Sequence, residues 1–384
     1  MYNFDEVIDR WHSGAIKTER AVEMYGRTDL MTMWIADMDF PTAPFVREAI
    51  SKRLEHPILG YSQPEQSWYK AIVNWQKMRY GWNIQPEWLN FSPGIVPGIS
   101  FAMQCFTKPG DKILVQTPVY PPYLNLINKN GRELIKAPFY IDDEFHMDMK
   151  RFAEKAKGCK MFFLCHPHNP GGKVWTKDEL QEMSEISARE GVLVISDEIH
   201  ADLTFTPKKH CPFALVSEEA YNNSITLASP SKAFNMPGLC SSYSIVPNDG
   251  LRKTFVEYLT NHELLSGHVF AFRGVEAAYS HGTEWLNECL NYIRENINYL
   301  NTELKNIPGI TMVTPEASFL VFLDCRGLQL TQEELVNRFI NRAGLMLNDG
   351  IEFGEEGCGF MRMNVAVPRS MLMKAVEKIK KIID

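Results

Sequence analysis

The sequence predicts an α/β fold: a large domain built on a mostly parallel sheet, followed by a smaller α+β domain. Three observations carry this. Short, wholly apolar runs in the middle of the chain end in polar, turn-rich segments, the pattern of parallel strands buried on both faces. An amphipathic stretch with helix punctuation separates two of these runs. The 384 residues also exceed the roughly 250–300 at which a single core stops growing, and the patterning changes character in the last third.

Taken in order, Ser92-Pro93-Gly94-Ile95-Val96-Pro97-Gly98 precedes an apolar helix expected over Ile99 to Phe106. Lys112 to Val115 reads as a strand ending in Thr117-Pro118-Val119-Tyr120-Pro121-Pro122, and Met161 to Cys165 as one ending in His166-Pro167-His168-Asn169-Pro170-Gly171-Gly172. Thr176 to Glu190 reads as the intervening helix. Thr176 with Glu179 three residues on forms a capping box, and Leu180, Met183 and Ile186 follow at helical spacing. Val192 to Ser196 runs into Asp197-Glu198-Ile199-His200, and Ser224 to Ala228 into Ser229-Pro230-Ser231-Lys232. The polar residues thus gather at the carboxyl ends of the strands, where open α/β sheets bind ligands. Beyond residue 280 the pattern gives a long helix over Glu284 to Leu304, strands at Phe319 to Leu323 and Met361 to Val365, and a basic amphipathic helix over Met371 to Ile383. The expected division is residues 46–280 for the large domain and 281–384 for the small one, with residues 1–45 packing on the latter.

Hydrophobic residues make up 45% and charged residues 23%, with a formal net charge of −7. An acidic balance argues against a nucleic-acid or anionic-membrane partner. No signal-peptide pattern is visible at the start, and the longest apolar runs are far too short to span a bilayer. The eight cysteines form no C-x-x-C pair, which points to a reducing cytoplasm without a disulfide framework.

Several strand-end residues suggest chemistry. A lysine such as Lys232 in a turn is ordinarily just solvated, but in a desolvated cleft its amine becomes a nucleophile. Asp197, at the end of an apolar strand, requires a compensating partner: a structural cation or a protonated ring nitrogen. Asn169 is either a turn residue or an amide donor to a ligand. Tyr120 is either core or a ring stacked on a flat cofactor. The glycines near Ile95 and Val96 let backbone N–H groups approach a phosphate, and Ser229 and Ser231 add hydroxyls. Cys165, His166, His168 and His200 match no recognised metal-ligand spacing. Trp34, Tyr123 and Phe360 are pocket or core candidates.

Asn169-Pro170, Asp197 and Ser231-Lys232, in that order and at these intervals, resemble the fold-type I enzymes that use pyridoxal 5′-phosphate (PLP), the aspartate aminotransferase superfamily. The resemblance covers nearly the whole chain. Within that group, Trp34-Ile35-Ala36-Asp37-Met38-Asp39-Phe40, His168-Asn169-Pro170, Ser196 to Asp202 and Ser229 to Leu239 look most like the MalY/PatB-type cystathionine β-lyases. The resemblance implies a seven-stranded, mostly parallel sheet in the large domain and an amino-acid substrate. It implies Lys232 as the lysine that binds PLP covalently, Asp197 as partner of the pyridine nitrogen, Asn169 near the phenolate oxygen and Tyr120 stacked on the ring. Tyr61 matches a tyrosine that reaches the cofactor phosphate of a neighbouring subunit, hence a homodimer. Tyr61 and Tyr120 are also candidates to assist Lys232 in protonating the departing sulfur. Arg362 matches the clamp on the substrate α-carboxylate, a task that suits its planar fork.

Two departures separate the chain from aminotransferases. His200 stands where they place a tyrosine that reaches the phenolate oxygen. Cys240, eight residues after Lys232, stands where they commonly place an arginine that neutralises the phosphate. A smaller departure is Gly171, where many relatives carry threonine. The implied activity is carbon–sulfur β-elimination from L-cystathionine or cysteine S-conjugates. Transamination is the first alternative, and a protein-binding regulatory role alongside lyase activity the second.

Overall fold

The computed structural model describes residues 2–142 and 144–383. Its centre is a seven-stranded sheet. In chain order the strands are β1 (Leu89–Ser92), β2 (Lys112–Val115), β3 (Glu133–Lys136), β4 (Cys159–Cys165), β5 (Leu193–Asp197), β6 (Ser224–Ala228) and β7 (Ser242–Ile245). Across the sheet they run β1-β7-β6-β5-β4-β2-β3. Only β7 is antiparallel to its neighbours. The strands β5 and β6 are buried along their whole length, as expected of strands covered by helices on both faces. One face packs Ile99, Met103 and Tyr123 against Ile113, Phe163 and Ile195. The other packs Phe152, Leu180 and Met183 against Phe162 and Val194.

The elements read from the sequence are present, with shifted ends. The helix after Thr176 spans Lys177–Glu190, and both halves of its capping box form. The late helices are Thr283–Leu304 and Arg369–Lys380. One start was misplaced: the helix expected from Ile99 begins at Ile95 and takes in Pro97 and Gly98. Proline is tolerated in a first helical turn, where its missing N–H has no intrahelical partner. Gly98 is needed for packing, since a Cβ there would lie 2.9 Å from Leu227.

A second sheet of four strands holds Leu320–Asp324 and Phe360–Asn364 at its centre. The amino-terminal segment joins this part of the molecule, with Met31–Thr32 pairing in parallel with Leu345–Met346. Downstream, Trp34 to Phe40 forms a strap held from three directions. Asn364 Nδ2 donates to the carbonyls of Ile35 and Asp37. Asn235 exchanges hydrogen bonds with Met38 and donates to the carbonyl of Phe40. Lys17 and Arg10 pair with Asp39 and Asp37.

Candidate active site

Strands β1, β2, β4, β5 and β6 all end at one edge of the sheet. The antiparallel β7 begins there, so Cys240, Ser241 and Ser242 join the same edge. The result is a cavity of about 210 Å³ lined by Ala36, Ile95, Val96, Tyr120, Cys165, Asn169, Asp197, His200, Ser231, Lys232, Cys240 and Ser241, among others. Residues 93 to 242 meet there because each follows or precedes a strand of one sheet, and Ala36 joins them from the strap.

Asp197 closes β5, in register with Cys165 on β4 and Leu227 on β6. Its carboxylate accepts from the Tyr123 hydroxyl and, at 3.0 Å, from the Ile199 N–H. Burial pushes its pKa up to about 6, against the pull of these donors and of Lys232. Among the described residues, a phenol, a backbone amide and the charge of Lys232 act on this buried acid. Tyr123, offered by the sequence as pocket or core, is fully buried and anchors Asp197 from behind.

Lys232 projects from the turn after β6, and its Nζ donates to the carbonyl of Ala36 in the strap. Burial lowers its pKa to about 8, with Arg362 pushing the same way and Asp37 and Asp197 opposing. A lysine at that value is neutral far more often near pH 7.5 than a solvated one.

Asn169 and Arg362 form a unit. Arg362 Nη1 donates to Asn169 Oδ1 at 3.1 Å, and its Nη2 donates to the carbonyl of Trp34 at 2.9 Å and to Asn348. The guanidinium lies 4.8 Å from the Phe353 ring centre. Its Nε is buried without a partner among the described residues. Arg362 thus sits behind Asn169, one hydrogen bond back from the cavity wall. Because Asn169 Oδ1 is occupied by a donor, its NH₂ group is the part left to serve the cavity.

One end of the cavity suits a phosphate. The helix Ile95–Phe106 starts here with no side chain capping it, leaving its first N–H groups unpaired. Ser241 Oγ is buried with no partner among the described residues. An orphan hydroxyl beside an uncapped helix end is a donor set waiting for an anionic acceptor. Ser229 is placed differently. Its hydroxyl donates to the Ser241 carbonyl at 2.9 Å and accepts from the Ser231 N–H at 3.1 Å, so it shapes the turn. Cys240 lines the cavity in a left-handed conformation with φ 48°.

The remaining sequence candidates divide. His200 lines the cavity, and burial depresses its pKa to about 3, so it is a neutral imidazole with Nδ1 unpaired. His166 and His168 hydrogen-bond the carbonyls of Cys211 and Pro118. Trp34 donates to the Lys17 carbonyl, and Phe360 stacks on Phe322. Tyr61 is exposed and does not line this cavity within one chain. Gly171 has a steric reason that the sequence does not reveal: a Cβ would lie 2.3 Å from the Phe145 ring.

A cofactor with a phosphate, a phenolate oxygen and a basic ring nitrogen fits this donor set. The chain is 38% identical to cystathionine β-lyase PatB of Bacillus subtilis, over 98% of its own length and 99% of that protein. It is 32% identical to protein MalY of Escherichia coli, over 98% and 97% respectively. The PLP-bound C–S lyase of Staphylococcus hominis has the same fold, with a TM-score of 0.93 at 34% identity, covering 100% of this chain and 98% of that one. With residues 28–379 matching the family described as aminotransferase class I and II, the chain belongs to that family.

Proposed function

We propose that the chain is a PLP-dependent carbon–sulfur β-lyase that converts L-cystathionine or cysteine S-conjugates to a thiol, pyruvate and ammonia. The observation that carries this is one cavity holding the depressed amine of Lys232 and the buried carboxylate of Asp197. Beside them stand His200 and Cys240 in place of the tyrosine and arginine of aminotransferases. The likeness to cystathionine β-lyase PatB over nearly the full length supports the same reading.

PLP, when bound, supplies an electron sink that makes the substrate Cα–H bond acidic. Lys232 would hold the cofactor covalently, and its free amine would take the Cα proton as general base. The Ala36 carbonyl, which already accepts from its Nζ, steadies the resulting ammonium. Asp197, kept anionic above pH 6 with help from Tyr123, holds the ring nitrogen protonated. The Asn169 amide, oriented by Arg362, donates to the phenolate oxygen, with the neutral His200 beside it. The Ile95 and Val96 N–H groups and the Ser231 and Ser241 hydroxyls hold the phosphate, and Ser229 braces their turn. Tyr120 packs against the ring. Arg362, set behind Asn169 with its Nε unpaired among the described residues, would receive the substrate carboxylate once Asn169 gives way at the cavity wall. As the Cβ–S bond breaks, Lys232 returns its proton to the departing sulfur, with Tyr120 and Tyr61 near the path.

Tyr61 acts in this scheme from a second copy of the chain. It lies on an exposed segment with Ile58 and Leu59, an apolar strip that a homodimer would cover. No helix among the described residues is long and apolar enough to cross a membrane. With eight cysteines, all free, a reducing cytoplasm is the proposed setting.

The test is product analysis. The enzyme is expected to release pyruvate and homocysteine from L-cystathionine without a keto-acid acceptor, whereas strict dependence on an acceptor would identify an aminotransferase. Lys232→Ala is expected to lose both turnover and the visible absorbance of lysine-bound PLP. Retention of both would refute the assignment of Lys232.

A further inference from the structure

The turn that carries Asn169 is closed on itself and then clamped from outside. The His168 N–H donates to the Lys173 carbonyl at 2.9 Å, and the Gly172 N–H to the His168 carbonyl at 2.7 Å. The clamp is the segment 315–318, which leads into the strand Leu320–Asp324 of the second sheet. The Gly172 carbonyl accepts from the N–H groups of Glu316 and Ala317, at 3.0 and 2.9 Å. So close an approach requires glycine at 172: its φ is 68°, and a Cβ would lie 2.4 Å from that of Pro315.

Glu316 grips the turn twice. Its N–H holds the Gly172 carbonyl, and its Oε2 accepts from the Val174 N–H at 2.9 Å, so Lys173 is bracketed. On the other side, Glu316 Oε1 pairs with Lys208 at 2.6 Å, and the Glu316 carbonyl accepts from the Phe205 N–H at 2.9 Å. Phe205 and Lys208 lie on the segment that follows Asp197 and His200. One residue thus joins the second sheet to both segments that carry these site residues and Asn169. Packing only partly duplicates the hold. Phe145 backs Gly171, but Gly171, Lys173 and Val174 border a cavity of about 190 Å³, which Lys208 and Glu316 also line.

Asn169 has another tie, from Arg362 Nη1 to its Oδ1. In the proposed reaction that tie is temporary, because Arg362 also serves the substrate carboxylate. A turn held by Arg362 alone would come loose as substrate binds. The Glu316 bonds act on the backbone, whichever partner Arg362 takes. Resting on the reading of Asn169 as a donor to the PLP phenolate oxygen, we propose that Glu316 is a positioning residue for that donor. It fixes the Asn169 turn independently of Arg362, and its carboxylate does so at Val174.

The test measures PLP binding to the apo-enzyme by absorbance for the wild type, Glu316→Ala and Glu316→Gln, with a thermal melt of each protein. Glu316→Ala is also made in Asn169→Ala and Arg362→Gln backgrounds. Alone, it takes the acceptor from the Val174 N–H and is expected to weaken PLP binding roughly 3- to 10-fold, the range of one net hydrogen bond. Glu316→Gln keeps an oxygen for Val174 and gives up only the partly exposed pair with Lys208, so it should stay within about twofold of the wild type. In Asn169→Ala the further loss should shrink below about twofold, since nothing is left to position. In Arg362→Gln it should persist in full. A full loss in Asn169→Ala would assign Glu316 to general stability and overturn the proposal. Equal losses in Glu316→Ala and Glu316→Gln, no loss in Glu316→Ala, or a loss that vanished in Arg362→Gln would overturn it too. If Asn169→Ala alone left PLP affinity untouched, the reading of Asn169 would fall, and this proposal with it.

Discussion

Replacing Tyr123 by phenylalanine tests how the buried acid is kept charged. Its hydroxyl donates to Asp197 Oδ2 inside a fully buried site, while burial already raises the Asp197 pKa to about 6. A hydrogen bond to a charged group is worth about 1.5–3 kcal/mol, and one pKa unit corresponds to about 1.4 kcal/mol. Losing the bond should therefore raise the Asp197 pKa by about 1–2 units, to roughly 7–8. The sign follows from the pairing. Only the carboxylate attracts a protonated ring nitrogen, so PLP affinity is full above the pKa of the free acid and falls as pH drops through it. The wild-type apo-enzyme should lose affinity below about pH 6, and Tyr123→Phe below about pH 7–8. At pH 7 the ionised fraction would fall from about 90% to about 10–50%, a roughly two- to tenfold weakening. PLP binding isotherms from pH 5.5 to 9, read by absorbance, measure this directly. A break at the same pH in both proteins would refute the role of Tyr123.

Two further outcomes follow from the packing and the buried charges. Gly171→Ala forces a methyl into the Phe145 ring and should cost about 1–3 kcal/mol of stability, seen as a lower denaturant midpoint; Phe145→Ala in the same background should recover part of it. Burial depresses His166, His168, His200 and His210 to about 3, so the unfolded chain takes up their protons below pH 6.5 and stability is lost as pH falls. Asp197 and Glu198, raised to about 6 and 7 by burial, act in the opposite sense, since their native forms bind protons first. Four against two leaves roughly two protons, so apo-enzyme stability should fall by about 3 kcal/mol per pH unit near pH 5.5. A denaturation midpoint unchanged between pH 7 and 5.5 would contradict it.

The parts of the site that were legible in the sequence are those that follow a strand directly. Asn169, Asp197 and Lys232 each stand within a few residues of the end of a continuous apolar run, and burial of that run fixes where the next side chains go. Tyr123 was not legible as the partner of Asp197, because the contact joins positions 74 apart and depends on how a helix packs against the sheet. Ser241 precedes an antiparallel strand, and only the direction of β7 brings its hydroxyl to the common edge. The place of Arg362 behind Asn169 spans 193 positions. The misplaced start of the helix Ile95–Phe106 came from reading Pro97 and Gly98 as loop, when one needs no N–H in a first turn and the other makes room for Leu227.

The strap from Trp34 to Phe40 bears on how this protein is made. Its carbonyls at Trp34, Ile35 and Asp37 are held by Arg362 and Asn364, in a strand made after every strand of the large sheet. The acceptor for the Lys232 amine therefore lacks the ties from Arg362 and Asn364 in a growing chain, and rests on Asn235, Lys17 and Arg10, although every strand of the large sheet has already been made. Closing such distant contacts is a late and entropically costly step. A chain truncated before residue 360 would keep every residue that lines the catalytic cavity and still present no finished place for the lysine.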